Sequence, residues 1–230
     1  MFQKKQKAYH SLIYSTIGVT LLLLGVGFVY PEEKPEGDRI VEKLKSRLEQ
    51  IEDFSAIIVQ EKRIAIFNSA IVSSGLLKWK KPGRLFIAMN PPDVSQLFFS
   101  ENVLWLYYPD EKIAEKYVLK DNQKQFNPFS FFTLIQRLRE GDDVQIITEQ
   151  TGSVVLELKP SGHLFKKIKL WFSKKDLLME KVEMFETDGD RTIITYSNTI
   201  INSGISDEVF RFIPPKGVTV SSVSDGYPPW

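Results

Sequence analysis

The chain reads as a mainly β protein with helices: an antiparallel meander that curls, preceded by an apolar N-terminal segment. Three observations lead to this class. Runs with a period of two recur through most of residues 54–220 and are separated at even spacing by turn residues. Two stretches, 38–52 and 127–139, switch to the helical period. Residues 1–30 open with Lys4, Lys5 and Lys7 and then carry no charge until Glu32.

That first segment is an export or insertion signal, oriented by lysines that stay in the cytoplasm. Gly25-Val26-Gly27 offers small residues for cleavage near Gly27. The apolar run 12–30 also approaches the roughly 20 residues that span a bilayer. Cleavage leaves a soluble periplasmic body; retention leaves a body anchored in the inner membrane. Residues 31–37 (PEEKPEG) form a polar linker.

A helix follows over 38–52, with Asp38 as N-cap. Ile40, Val41, Leu44, Leu48 and Ile51 make its apolar stripe, and Lys43, Lys45, Arg47 and Glu49 the wet side. Strands are expected over 54–60, 64–67 and 71–79. Pro82-Gly83 turns the chain into 85–89, and Pro91-Pro92-Asp93 turns it into 97–99. Residues 103–108 complete this central stretch, with 117–119 as a further short strand. In 103–108 both faces are apolar. Val103, Trp105 and Tyr107 alternate with Leu104, Leu106 and Tyr108. A sheet exposed to water on one side does not read this way. Such a sheet is covered on both sides or lines a cavity.

A second helix is expected over 127–139. Asn127 caps it, Pro128 suits its first position, Gly141 its stop, and Arg137 and Arg139 its last turn. Its stripe of Phe131, Leu134, Ile135 and Leu138, widened by Phe129 and Phe132, is too apolar for a simple surface helix. Strands over 144–148, 154–158, 165–172, 177–185 and 191–199 follow. The last element, 210–220, is broken by Pro214-Pro215. Residues 221–230 read as a polar tail.

Composition excludes several chemistries. The chain has no cysteine, hence no disulfide, thiolate metal site or cysteine nucleophile. Its formal charge is +1, and setting aside the three N-terminal lysines leaves a body at −2, with no pull on nucleic acid. His163 stands in a turn without a nucleophile elbow. Asp188-Gly189-Asp190 reads as a hairpin turn rather than a calcium site. No glycine-rich phosphate loop occurs. No catalytic residue, cofactor or metal is expected. The apolar surface remains: it either lines a cavity or fills an ordinary core, and Met89, Met179 and Met184 suit both uses.

Three segments resemble the outer-membrane lipoprotein carrier (LolA) family. Gly75-Leu76-Leu77-Lys78-Trp79-Lys80-Lys81-Pro82-Gly83-Arg84-Leu85 is similar to its strand-turn-strand. Ser100-Glu101-Asn102-Val103-Leu104-Trp105-Leu106-Tyr107-Tyr108-Pro109 is similar to its next hairpin. Phe210-Arg211-Phe212-Ile213-Pro214-Pro215-Lys216-Gly217-Val218-Thr219-Val220 is similar to its closing motif. Lysine stands at Lys81 where the family has arginine, and Glu101-Asn102 where it has Asp-Gly.

The resemblance implies a curved, incompletely closed antiparallel half-barrel with a helical lid over a hydrophobic cavity, spanning residues 38–220. Trp79, Leu85, Ile87, Met89, Phe99, Trp105 and Tyr107 of the sheet would line that cavity. Phe129, Phe131, Phe132, Leu134, Ile135 and Leu138 would face it from the lid, and Lys81 would contact the lid. The implied ligand is an acylated lipoprotein or another lipid. The implied donor is an inner-membrane ABC transporter and the acceptor an outer-membrane receptor, with the chain a monomer that binds no nucleic acid. The rival readings are an inner-membrane-anchored lipid-binding module, and a protein-interaction module that uses its sheet edges.

Overall fold

Helix α1 (Glu36–Glu49) lays Leu44 and Leu48, with Ile51 just beyond, onto the sheet, and all three are buried. In the computed structural model, residues 36–66, 69–92, 94–119, 144–150, 152–159 and 165–223 are described. The N-terminal apolar segment, the expected helix over 127–139 and His163 lie outside them. The helix starts two residues before Asp38, the expected cap. At the other end, Lys81 donates from Nζ to the Glu49 carbonyl (2.6 Å) and lies 3.0 Å from Glu52 Oε1. One of the carbonyls that a helix end leaves unpaired is thereby satisfied.

Twelve strands form one sheet. They are β1 (Asp53–Arg63), β2 (Ala70–Lys80), β3 (Arg84–Met89), β4 (Ser95–Ser100), β5 (Val103–Tyr108), β6 (Ile113–Val118), β7 (Val144–Gln150), β8 (Ser153–Leu158), β9 (Phe165–Ser173), β10 (Met179–Glu186), β11 (Arg191–Ile201) and β12 (Thr219–Val223). Their order is β12-β6-β5-β4-β3-β2-β1-β11-β10-β9-β8-β7. Two meanders, β1–β6 and β7–β11, are joined by the long antiparallel ladder between β1 and β11. Strand β12 pairs in parallel with β6. Residues 120–143 therefore connect β6, next to one edge of the sheet, with β7 at the opposite edge.

Of the strand expected over 64–67, residues 64–66 are not in a strand, and residue 67 lies outside the described residues. The two ladders flanking β1 both end at Arg63, opposite Arg191 and Ala70, so the chain has no further partner and turns at Ala65-Ile66. The expected element over 210–220 is three pieces instead. A short 3-10 helix (Asp207–Phe210) is capped by Ser206, whose Oγ accepts from the Glu208 N–H. Residues 211–218 follow, and then β12, which takes in the first residues of the expected tail.

This C-terminal stretch is a strap. It leaves β11 beside β1 and reaches β6 by way of the face opposite α1. The Asp53 carboxylate anchors its start. It accepts from the N–H groups of Ser203 (2.9 Å), Gly204 (2.9 Å) and Ile205 (3.1 Å), and from the Ser203 hydroxyl (3.1 Å). Asp207 then reaches Lys80 Nζ (2.6 Å) and Arg84 (3.0 Å). Finally Phe212 stacks on Phe98, Trp105 and Tyr107, with ring centroids 5.0, 5.2 and 5.1 Å away.

Candidate functional site: the apolar inner face

Side chains opposite one another in a ladder share a face. From β1 outward, Phe54 faces Trp79, Trp79 faces Leu85, and Leu85 faces Phe99. Leu77 faces Ile87, which faces Leu97, and Gly75 faces Met89. All of these belong to the face that carries α1, except that Gly75 contributes only space. That space is required: a Cβ at Gly75 would lie 2.4 Å from the Ala88 carbonyl oxygen and 2.9 Å from the Met89 sulfur. Across the other meander the same face runs through Ile194, Val182, Leu170 and Leu156, all buried, to the β8 end. The result is a continuous apolar surface. Leu104, Tyr117 and Leu119 extend it beyond β4 by way of Leu97 and Phe99.

Five of the expected lining residues, Trp79, Leu85, Ile87, Met89 and Phe99, thus sit together on this inner face. The first three are buried, and Met89 and Phe99 pack against them half-buried. Trp105 and Tyr107 are on the other face. Trp105 pairs with Phe98 and Lys116, Tyr107 with Gln96 and Ala114, and Phe212 covers both rings. The inner face of β5 is made by Leu104 and Leu106 instead. The two apolar faces of this strand are therefore used differently: one continues the inner face, the other lies under the strap. Phe129, Phe131, Phe132, Leu134, Ile135 and Leu138 lie outside the described residues. Lys81, expected against a lid, holds the end of α1.

Among the described residues, the face is tightly filled beside α1. A void lined by Leu48, Ile51, Phe54, Met179 and Tyr196 among others measures about 10 Å³. That is room for one water, not for an acyl chain.

Polar groups at the margins of the apolar surface are each held by specific partners. Burial alone would raise the Asp53 pKa, but hydrogen bonds from Ser203, Ile205 and Gly204 outweigh it and hold the carboxyl below its usual range. Tyr117, on the inner face of β6, is pushed up to about 12 by burial and by its hydrogen bond to Glu115 (2.7 Å). Asp207 is held below the usual carboxylate range by its bond from Lys80, with help from the charge of Arg84. Among the described residues, Glu186, Asp188 and Asp190 stand close enough to hold a metal. Their oxygens already serve the protein. Asp188 accepts from the Asp190 N–H, Asp190 from the Ala65 N–H, and Glu186 from Thr192. This is the geometry of a tight hairpin turn.

Sequence reasoning gave Asp53 and Phe212 no role. Phe212 did carry a signal, as the middle aromatic of the closing motif. Asp53 carried none, because its partners lie about 150 residues away.

An apolar sheet face with no catalytic constellation among the described residues suits binding rather than reaction. The profile of the family described as outer membrane lipoprotein carrier protein LolA matches residues 49–213, from the end of α1 into the strap. The chain belongs to the LolA family. It is a family of carriers, not of enzymes, it is typically periplasmic, and its cargo is lipoprotein.

Among LolA-family relatives, the outer-membrane lipoprotein carrier protein of Hahella chejuensis is 25% identical over 186 residues, covering 78% of this chain and 87% of that protein. The carrier of Klebsiella pneumoniae is 29% identical over 178 residues, covering 77% and 85%. In structure, an uncharacterized conserved protein from Thermus thermophilus aligns with a TM-score of 0.53 at 10% identity, over 82% of this chain and 100% of that one. At that identity the likeness concerns the fold alone. Among the described residues, no helix is long and apolar enough to cross a membrane.

Proposed function

We propose that this chain is a periplasmic carrier that shields the acyl chains of lipoproteins and delivers them toward the outer membrane. The observation that carries this reading is the continuous apolar inner face, from Leu85 on β3 to Leu158 on β8, in a LolA-family chain. Each CH₂ withdrawn from water contributes about 0.8 kcal/mol, so an acylated lipoprotein needs a substitute solvent to cross an aqueous compartment. An aliphatic and aromatic sheet face is such a solvent.

The lid belongs to residues 120–143. They must lead from one side of the sheet to the far edge, and their stripe of Phe129, Phe131, Phe132, Leu134, Ile135 and Leu138 would bury against an apolar surface. Cargo then competes with contacts the protein makes to itself, which lowers net affinity and permits release. The donor is an inner-membrane ABC transporter and the acceptor an outer-membrane receptor. Residues 1–30 direct export; cleavage near Gly27 frees the body to shuttle as a monomer, whereas retention tethers it.

The test uses inner-membrane vesicles loaded with a triacylated lipoprotein. The wild-type chain draws the lipoprotein into a soluble complex. Phe99→Asp, on the half-buried part of the inner face, lowers the yield at least roughly tenfold, since a carboxylate does not enter an acyl-lined site without a partner. Lipoprotein that stays in the membrane, together with no binding of a fatty-acid probe, would sink the reading. Intact mass and N-terminal sequence of the chain from its own cells distinguish a shuttle from a tethered module.

A further inference from the structure

The inner face carries one charge that acyl-chain binding leaves without a use. Strands β3–β6 turn uncharged side chains to that face, with the single exception of Glu115 on β6. Register fixes its place. Glu115 stands opposite Leu106, Leu106 opposite Leu97, and Leu97 opposite Ile87. A straight apolar row thus leads from the carboxylate across three neighbouring strands, which lie about 4.8 Å apart. Glu115, Leu106 and Leu97 are half-buried, and Ile87 is buried. Among the described residues, the row therefore starts where the face is still reachable and ends where it is closed.

The protein serves this carboxylate only in part. It accepts one hydrogen bond, from the Tyr117 hydroxyl at 2.7 Å. An ionised carboxylate offers about four lone-pair positions. Among the described residues, no lysine or arginine pairs with it. Lys116, next in the chain, turns to the other face, where its Nζ stands 5.6 Å from the centre of the Trp105 ring. Ser221, opposite Glu115 on β12, is exposed and uncharged. Burial first, and Glu115 second, hold the phenols of Tyr117 and Tyr108 above their ordinary range. A carboxylate beside apolar surface gains most from a charged donor. An amphiphile with an ammonium at one end and hydrocarbon behind it fits the carboxylate and the row together.

We propose that Glu115 binds the ammonium of an acylated ligand whose chain lies along Leu106, Leu97 and Ile87. The inference rests on the carrier reading and adds selection by the polar end of the ligand. Two sources present this chemistry: the headgroup of an aminophospholipid, and a peptide amine beside an acylated residue.

The test titrates the purified full chain with three amphiphiles of one chain length, decylammonium, decanol and decyl sulfate, each below its micelle concentration. Decylammonium binds at least roughly tenfold more tightly than decanol, and decyl sulfate binds most weakly. Glu115→Gln brings the three together while decanol affinity is kept. Glu208→Gln, an exposed carboxylate of the strap, leaves the preference as it was. Two further pairs read the source. One is dihexanoylphosphatidylethanolamine against dihexanoylphosphatidylglycerol, and the other a diacylglyceryl-cysteine peptide with a free amino group against its N-acetyl form. Preference for the amine in at least one pair is expected and names the source. Equal binding of decylammonium and decanol to the wild-type chain overturns the proposal and leaves the carrier reading standing. A preference that survives Glu115→Gln overturns it too, as does one lost equally in Glu208→Gln, which would reflect overall charge. Absence of binding by all three amphiphiles overturns the carrier reading and the proposal with it.

Discussion

Asp53 shows how one side chain can hold two distant stretches of a chain together. It is 3% exposed, and its carboxylate accepts four hydrogen bonds from residues 203–205. Its native pKa lies below the unfolded value. The ionised, bonded form therefore stabilises the fold fully above the unfolded pKa. That contribution is lost as pH falls toward and through the depressed native value. Asp53→Asn removes the charge and leaves an amide that cannot accept at both ends. It should cost about 1–3 kcal/mol at neutral pH, and its stability should fall less than that of the wild type as the solution is acidified. Urea unfolding at a series of pH values checks both; equal acid slopes in the two proteins would contradict the assignment. Lys81 is the counterpart on the inner side. Its place before Pro82 was legible in the sequence, but its acceptor, the Glu49 carbonyl, was not, because helix and hairpin meet only in the folded chain.

Among the elements, the strap decides how the two-faced strands are used. Alternation through residues 103–108 marks both faces of β5 as apolar, and no property of the strand itself says which is inner. Phe212 settles it by covering Phe98, Trp105 and Tyr107. Phe212→Ala should cost about 1–3 kcal/mol, less than a fully buried phenylalanine because Phe212 is half-buried. It should also uncover Trp105 to an aqueous quencher such as iodide. Asp207→Asn, at an exposed pair in the same strap, should leave stability nearly unchanged. Comparable losses from both substitutions would show that the strap is held by charge rather than by its aromatic contact. The first helix and most of the described strands were legible because each carries its own period. The exception, residues 64–66, has the right residues for a strand but lies past Arg63, where both ladders of β1 end.

At the largest scale, the described sheet is two meanders joined by strand pairing at two places, the β1–β11 ladder and the β12–β6 pair. Residues 120–143 are the only covalent link between β6 and β7. Cutting the chain there with a protease at an inserted site should leave both halves in one particle, because neither tie passes through that segment. Size-exclusion chromatography of the cut protein checks this, and dissociation into halves would mean that the link itself holds the fold. If residues 120–143 form the lid, the same cut should weaken retention of a fatty-acid probe while the sheet stays intact.

Periodicity and turn chemistry are local, so the sequence by itself determined the class, most strand positions, the amphipathic first helix and the family. It also determined that an unusual amount of apolar surface must be covered or used. Pairing across the sheet is not local. Register decided that Trp79, Leu85, Ile87, Met89 and Phe99 share one face, and that Trp105 and Tyr107 belong to the other. Chain return decided that a closing motif more than 100 residues downstream covers those two rings. Alternation in a strand tells which residues stand together but not which side is inward; only the neighbours brought in by the fold make that choice.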